Sequence, residues 1–128
     1  MIFRSLVVAG ALLALAFSSV SLGAAQQSKT VATISSADYR VVLLAAKTSG
    51  GASPTARVSV SSYVRRGQGW SPMRTTKLPE TYFWKVVTAA HAVCQLRFAT
   101  AAKPSLTVSL LETPSIGCGH SERVSLSE

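Results

Sequence analysis

Two cysteines and two histidines are the residues of this sequence that could form a Cys2His2 zinc site, and the cysteines could instead form a cross-link. They form two short pairs, His91 with Cys94 and Cys118 with His120. A zinc site would need all four side chains to converge tetrahedrally. His91 and Cys94 are separated by an odd number of positions, which on an extended strand puts their side chains on opposite faces. The spacing therefore argues against a zinc site, and we predict no metal site. We predict a disulfide between Cys94 and Cys118, because two cysteines are an even number in a chain that begins like an exported protein, as described below.

Few residues could carry out acid-base or nucleophilic catalysis. The acidic residues are one aspartate and four glutamates, and they are dispersed along the sequence: Asp38, Glu80, Glu112, Glu122 and Glu128. A glycosidase needs two carboxylates that flank the scissile bond, and no local cluster of acids predicts such a pair. Residues 119–123, GHSER, begin like the nucleophile elbow G-x-S-x-G, but Arg123 occupies the position of its second glycine. The sequence contains no asparagine, which excludes a Cys-His-Asn arrangement. We therefore predict a non-enzymatic protein with no catalytic residue and no cofactor.

Residues 63–70, YVRRGQGW, combine two adjacent arginines with aromatic rings in a segment with the glycine spacing of a hairpin tip. Arginine pairs with phosphate or carboxylate, and aromatic rings stack on bases or sugars. Tryptophan, tyrosine and arginine also dominate the energetics of protein interfaces. We predict Arg65, Arg66 and Trp70 as a contact surface. In the alternative, Trp70 folds back into the core and the arginines are simply solvated.

Residues 1–25 have the pattern of a cleavable signal peptide. Arg4 supplies the positive start, and residues 6–17 form an apolar run that is shorter than the roughly 20 residues needed to span a bilayer. The small residues Gly23 and Ala25 indicate a cut before Gln26, with a cut after Gly23 or an uncleaved anchor as alternatives. We expect residues 26–128 to form one exported domain without a transmembrane anchor, on the extracellular or cell-envelope side, where thiols are oxidised.

The chain carries a formal net charge of +8, and Arg4 is its one basic residue before position 26. A positive field attracts anionic partners. The basic residues are dispersed, with only Arg65 and Arg66 adjacent, so a solvated cationic surface is the alternative. We expect an anionic cell-surface polymer or another protein as the partner, and we do not expect nucleic acid.

The elements that would position these residues are indicated by a periodicity of two. Apolar and polar residues alternate over residues 57–65 and 105–110, and more weakly over residues 123–127. Such alternation is typical of strands with one face toward a core. Residues 39–46 form a more continuous apolar run that suits a central strand, with residues 31–36 as its partner.

Glycine and proline residues separate these runs at the spacing of an all-β domain. The breaks are residues 49–54, residues 67–69, and positions around Pro79, Pro104 and Pro114. The pattern gives about seven short strands and predicts a two-sheet sandwich or a small barrel.

Residues 80–102 fit two structures. Apolar residues at helical spacing and an alanine-rich stretch, residues 88–92, allow a helix near residues 80–101, which would make the fold α+β. Aromatic and β-branched residues, however, crowd residues 82–88. We therefore predict two strands joined by a turn at residues 89–91.

These features predict a small, basic, secreted binding or structural protein that is not an enzyme. The alternative is a secreted inhibitor or effector that presents a rigid, disulfide-anchored loop to an enzyme. A preorganised loop suits inhibition because it loses less conformational entropy on binding.

Overall fold

A computed structural model describes residues 27–99 and 103–127, so the predicted signal peptide lies outside the described residues. Within this range the chain forms eight strands and one helical turn. Their bounds are β1 Ser28–Ser35, β2 Tyr39–Lys47, β3 Thr55–Arg66, β4 Gly69–Phe83, α1 Trp84–Val87, β5 Val93–Ala99, β6 Ser105–Thr113, β7 Gly117–Cys118 and β8 Glu122–Ser125.

The strands form two separate antiparallel sheets. The first sheet has the order β1-β2-β3-β4, and the second has the order β5-β6-β7, with β8 also paired to β6. This arrangement confirms the predicted all-β, two-sheet sandwich. The α+β alternative is wrong, because the one helix of the described residues has only four residues.

The core lies between the sheets and follows from the alternation in the sequence. Val41, Leu43 and Ala45 of β2 are fully buried, whereas the residues between them are only half-buried. Leu106, Val108 and Leu110 of β6 line the opposite side of the core, together with residues of β3, β4, α1 and β8. A strand places successive side chains on opposite faces, so each sheet has an inner face and an outer face.

The turn expected at Pro79 is absent, because β4 continues through both Pro72 and Pro79. A proline cannot donate a backbone hydrogen bond, but an edge strand leaves one side of its backbone unpaired. Since β4 is the last strand of the first sheet, it tolerates both residues. The pairing register between β3 and β4 also shifts between Arg57 and Ser59, where residues 78–80 of β4 form an irregularity.

Residues 80–102 contain the two predicted strands and a short helix between them. β4 ends at Phe83, α1 follows at once, and β5 begins at Val93 after a turn that includes residues 89–91. The β-formers at positions 86 and 87 therefore lie in a helical turn, contrary to the prediction. Val87 is fully buried and packs into the core, so tertiary packing overrides its strand propensity.

Candidate functional site

The predicted disulfide is present between Cys94 and Cys118, whose Cα atoms lie 6.2 Å apart. It links β5 to β7 across β6, the strand that lies between them. The β5 register shifts between Val93 and Gln95, so that Val93 packs against the core in place of Cys94. Cys118 is exposed. The alternation of Cys94, Leu96 and Phe98 in the sequence predicts an inward Cys94 and a bridge that pins the Cys118 loop to the core, and this is wrong: the bridge links the two strands at the surface of the second sheet.

The disulfide also determines whether the two cysteines can bind zinc. Both cysteines are bonded to each other, so neither is available as a thiolate ligand. His91 lies exposed in the turn after α1, and His120 lies exposed in the segment before β8. In the part of the chain that the structure describes, no group of three His, Cys, Asp or Glu side chains could hold a metal ion.

Ser121, the serine of the elbow-like segment, is not poised as a nucleophile. Its hydroxyl donates a hydrogen bond to Oε1 of Gln95 at 2.7 Å. A catalytic serine needs a base that accepts its proton, and a glutamine oxygen is not basic.

Across residues 27–99 and 103–127, no helix is long and apolar enough to cross a membrane.

The hairpin between β3 and β4 positions the predicted contact residues. Its turn contains Gly67 in the left-handed region, at φ 62°, where glycine lacks the steric penalty of other residues. Arg65 is the direct cross-strand partner of Trp70, and Arg66 pairs with Gly69. Adjacent strand positions face opposite sides, so Arg65 and Trp70 share the outer face while Arg66 faces the other side. The structure thus brings together two of the three predicted residues.

A third residue, Arg40 of β2, completes this group. The guanidinium carbons of Arg65 and Arg40 lie over the Trp70 ring, 4.4 and 5.0 Å from its centroid. A guanidinium this close to an indole face is attracted to the ring by about 0.5–1 kcal/mol at an exposed site. Trp70 is half-buried beneath the two groups and does not belong to the core, contrary to the alternative interpretation.

Each guanidinium of this group is also held at its inner nitrogen. Nε of Arg65 donates to the carbonyl of Ala37 at 2.7 Å, and Nε of Arg40 donates to the hydroxyl of Ser35 at 3.2 Å. These bonds use only the Nε atoms, and a guanidinium carries further N–H donors on its two Nη atoms. We call Arg40, Trp70 and Arg65 the arginine–tryptophan site. Asp38, in the turn before β2, lies near this site, because its backbone carbonyl accepts a hydrogen bond from the Arg65 amide. Its side chain is exposed.

Sequence reasoning missed Arg40 because its position depends on strand pairing. Arg40 is the cross-strand partner of Tyr63, two positions before Arg65 on the same face of β3. The alternation within residues 39–46 could have assigned Arg40 to the outer face. The register that brings it beside the hairpin could not be read from either segment alone.

A second group, also missed, contains acidic residues between β4 and β6. A Cβ atom at Gly119 would lie 2.9 Å from Oε2 of Glu112 and 3.0 Å from Oε1 of Glu80, so both carboxylates border this glycine. Burial, the charges of Glu80, Glu122 and Glu112, and a hydrogen bond with Glu80 raise the pKa of the Tyr82 hydroxyl to about 12. The negative charge therefore lies apart from the outer face of the first sheet.

The acidic group borders a shallow depression of about 310 Å³. Its lining includes the two large apolar side chains that are most exposed within the described residues, Phe83 at 44% and Ile116 at 70%. Ile116 lies at the tip of the connection between β6 and β7, where its amide donates to the Thr113 hydroxyl at 2.9 Å. The connection closes at Gly117, at φ 96°, next to the disulfide.

Comparisons with known proteins add no relative: no family model, no curated protein and no solved structure matches this chain.

Proposed function

We propose that this chain is a small, secreted, non-enzymatic binding protein that holds an anionic group of its ligand at the arginine–tryptophan site. The observation that carries the proposal is the stacking of two guanidinium groups over one indole ring, at 4.4 and 5.0 Å from its centroid. Two like charges repel each other, and the site holds them together through the ring and through separate Nε hydrogen bonds. An anion placed between their Nη groups would relieve that repulsion.

The chemistry of the site suits carboxylate, sulfate or phosphate groups. A guanidinium presents its N–H donors in a planar fork that matches these oxyanions, and such charge-assisted hydrogen bonds are stronger than neutral ones. Because each side chain is already tethered at Nε, less side-chain entropy is lost on binding. Removal of the predicted signal peptide with Arg4 would lower the formal charge from +8 to +7, which would still add long-range attraction for an anionic ligand.

Binding to immobilised polyanions tests this proposal. Polygalacturonate supplies carboxylates, dextran sulfate supplies sulfates, and neutral dextran serves as the uncharged reference. We expect binding to one or both charged polymers, and a loss of about tenfold or more in Arg40→Ala or Arg65→Ala, since a hydrogen bond to a charged group contributes about 1.5–3 kcal/mol.

Arg97→Ala is the matched control, because Arg97 is exposed on β5 of the other sheet. It removes the same charge from the opposite side of the sandwich. Equal losses in Arg97→Ala and Arg65→Ala would show that only net charge matters, and equal binding to neutral dextran would also contradict the proposal.

A second candidate function is inhibition of an enzyme by the Thr113 to Gly117 connection. Ile116 is 70% exposed there, and the adjacent Cys118 is fastened by the disulfide. A rigid loop with an exposed apolar side chain could fill an apolar substrate pocket. We would measure inhibition of a panel of purified secreted proteases and glycosidases. Inhibition that Ile116→Ala abolishes and Arg65→Ala preserves would support this function, and its absence across the panel would leave the first proposal.

A further inference from the structure

The outer face of the first sheet carries positive charge beyond the arginine–tryptophan site. In β3, the residues Ala56, Val58 and Val60 are buried, so the alternate positions from Arg57 to Arg65 face outward. Their pairing with β2 and β4 identifies the outward cations of the sheet, which are Arg40, Arg57, Arg65 and Lys77. The outward positions of these described strands include no Asp or Glu.

The four cations form two groups at opposite ends of β3. Arg65 and Arg40 lie at the hairpin end, whereas Arg57 lies eight positions earlier on β3, or roughly 26 Å along an extended strand. Lys77 belongs to the second group, because its cross-strand partner Ser59 is the next outward residue after Arg57. A ligand that contacts both groups must therefore be extended.

The second group borders a depression of about 160 Å³. Arg57, Lys77, Ser59 and Thr48 are among the residues that line it. Nη2 of Arg57 donates to a β4 carbonyl at 3.3 Å, but its Nε is buried and makes no hydrogen bond within the described chain. A buried donor without an acceptor is unfavourable. An oxyanion seated in the depression would supply an acceptor to the guanidinium after a small rotation of the side chain.

On β3 and β4, the stretch between the two groups is uncharged and rich in hydroxyl groups, whereas the neighbouring outward positions of β2 are the apolar residues Val42 and Leu44. Ser59, Ser61, Tyr63 and Thr75 occupy outward positions there, and the hydroxyls of Ser61 and Thr75 form a hydrogen bond with each other at 3.1 Å. Hydroxyl groups can both donate and accept, so they match the hydroxyl groups of sugar rings. The ligand is therefore expected to carry hydroxyl groups between its anionic groups.

These features favour a polysaccharide over a nucleic acid. Proteins bind single-stranded nucleic acid by stacking its bases on the faces of aromatic side chains. Guanidinium groups already lie over the ring of Trp70, which supports the arginines and is only partly accessible to a base.

We propose that the outer face of the first sheet binds an extended acidic polysaccharide, which runs from the arginine–tryptophan site to the depression at Arg57 and Lys77. This inference rests on the proposed function, because the arginine–tryptophan site is one end of the binding surface. It adds a second anion subsite and the chemical class of the ligand.

Oligogalacturonates of different length test the second subsite. A disaccharide can occupy one group of cations, and a hexasaccharide can approach both. We expect Lys77→Ala to weaken binding of the hexasaccharide by about three- to fivefold, as for an exposed charge pair, and to leave binding of the disaccharide unchanged. Arg65→Ala should weaken both, and Arg97→Ala should weaken neither.

The outcomes separate this inference from the proposed function. If Arg65→Ala weakens the hexasaccharide and Lys77→Ala does not, the second subsite is wrong and the proposed function stands. If neither variant matters, both are wrong. Tighter binding of an oligodeoxynucleotide with the same number of charges, at the same ionic strength, would overturn the polysaccharide class. Lys77 is exposed, so its replacement should not disturb folding. Arg57→Gln is a second variant of the same subsite, and its thermal unfolding will show whether it folds as the wild type does.

Discussion

Removal of the disulfide gives the clearest test of how this small sandwich is stabilised. The perturbation is the double variant Cys94→Ala/Cys118→Ala. The two cysteines are separated by 24 positions, so the bridge closes a loop of about 25 residues in the unfolded chain. In the chain-entropy model, release of such a loop lowers the free energy of unfolding by about 3.5 kcal/mol. Domains of this size have a total stability of about 5–15 kcal/mol, so the loss is a large fraction.

The structure indicates that loop closure dominates this effect. Cys118 is exposed and Cys94 is outside the core cluster, so their replacement removes little packing. Urea unfolding followed by tryptophan fluorescence measures the free energy of unfolding and its dependence on urea. We expect a loss of about 3.5 kcal/mol, and a steeper dependence on urea because the unfolded chain exposes more surface without the bridge.

Reduction of the wild-type disulfide provides the control. The reduced protein and the double variant should lose the same stability if the cross-link itself is the cause. A loss below about 1 kcal/mol in both would refute the loop-closure reasoning, since that reasoning requires about 3.5 kcal/mol. A much larger loss in the variant than in the reduced protein would show that packing of the sulfur atoms dominates.

Three further predictions concern other parts of the chain. The Tyr82 hydroxyl keeps its proton in the folded state up to its pKa of about 12, whereas the unfolded chain loses this proton near pH 10. The free energy of unfolding should therefore fall by about 2–3 kcal/mol between these pH values, and it should fall less in Tyr82→Phe. Parallel pH profiles of the two proteins would contradict the raised pKa. Gly119→Ala should lower the free energy of unfolding by less than about 1 kcal/mol in the same urea assay, because its Cβ would meet the ends of two flexible glutamate side chains, at 2.9 and 3.0 Å, and these can rotate away. A loss of more than about 2 kcal/mol, relative to the control Gly69→Ala with nothing closer than 4.0 Å, would show that the two carboxylates are held in place. Secreted protein should begin at Gln26 by intact-mass measurement, and retention of residues 1–25 would contradict the signal-peptide prediction.

The strands of the fold could be predicted because their cause is local. Residues 57–65 and 105–110 alternate apolar and polar side chains, and both segments lie in long strands whose apolar residues face the core, although β6 also buries Ser105 and Ser109 on its other face. The continuity of β4 through Pro79 could not be predicted, since it depends on the edge position of that strand. Likewise, the helical turn at Val87 could not be predicted, because the Val87 side chain is buried in a core that forms only when the two sheets pack together.

The candidate site could be predicted only as far as one hairpin extends. Arg65 and Trp70 lie within six positions of each other, so their turn brings them together and the sequence shows it. Arg40 joins them through the pairing of β2 with β3. The approach of Glu80 to Glu112 depends on contact between different sheets, which no local pattern encodes.

The most direct test of the arginine–tryptophan site uses the two tryptophans of the chain as probe and control. Trp70 lies beneath Arg40 and Arg65, whereas Trp84 lies in α1 at the end of the sandwich, with Lys47 5.8 Å from its ring centroid. The measurement is an NMR titration of the two indole N–H signals with a galacturonate disaccharide. The account predicts that the Trp70 signal shifts in a saturable way, that the Trp84 signal stays in place, and that Arg65→Ala weakens the response. A shift of Trp84 alone, or a response that Arg65→Ala leaves unchanged, would contradict it.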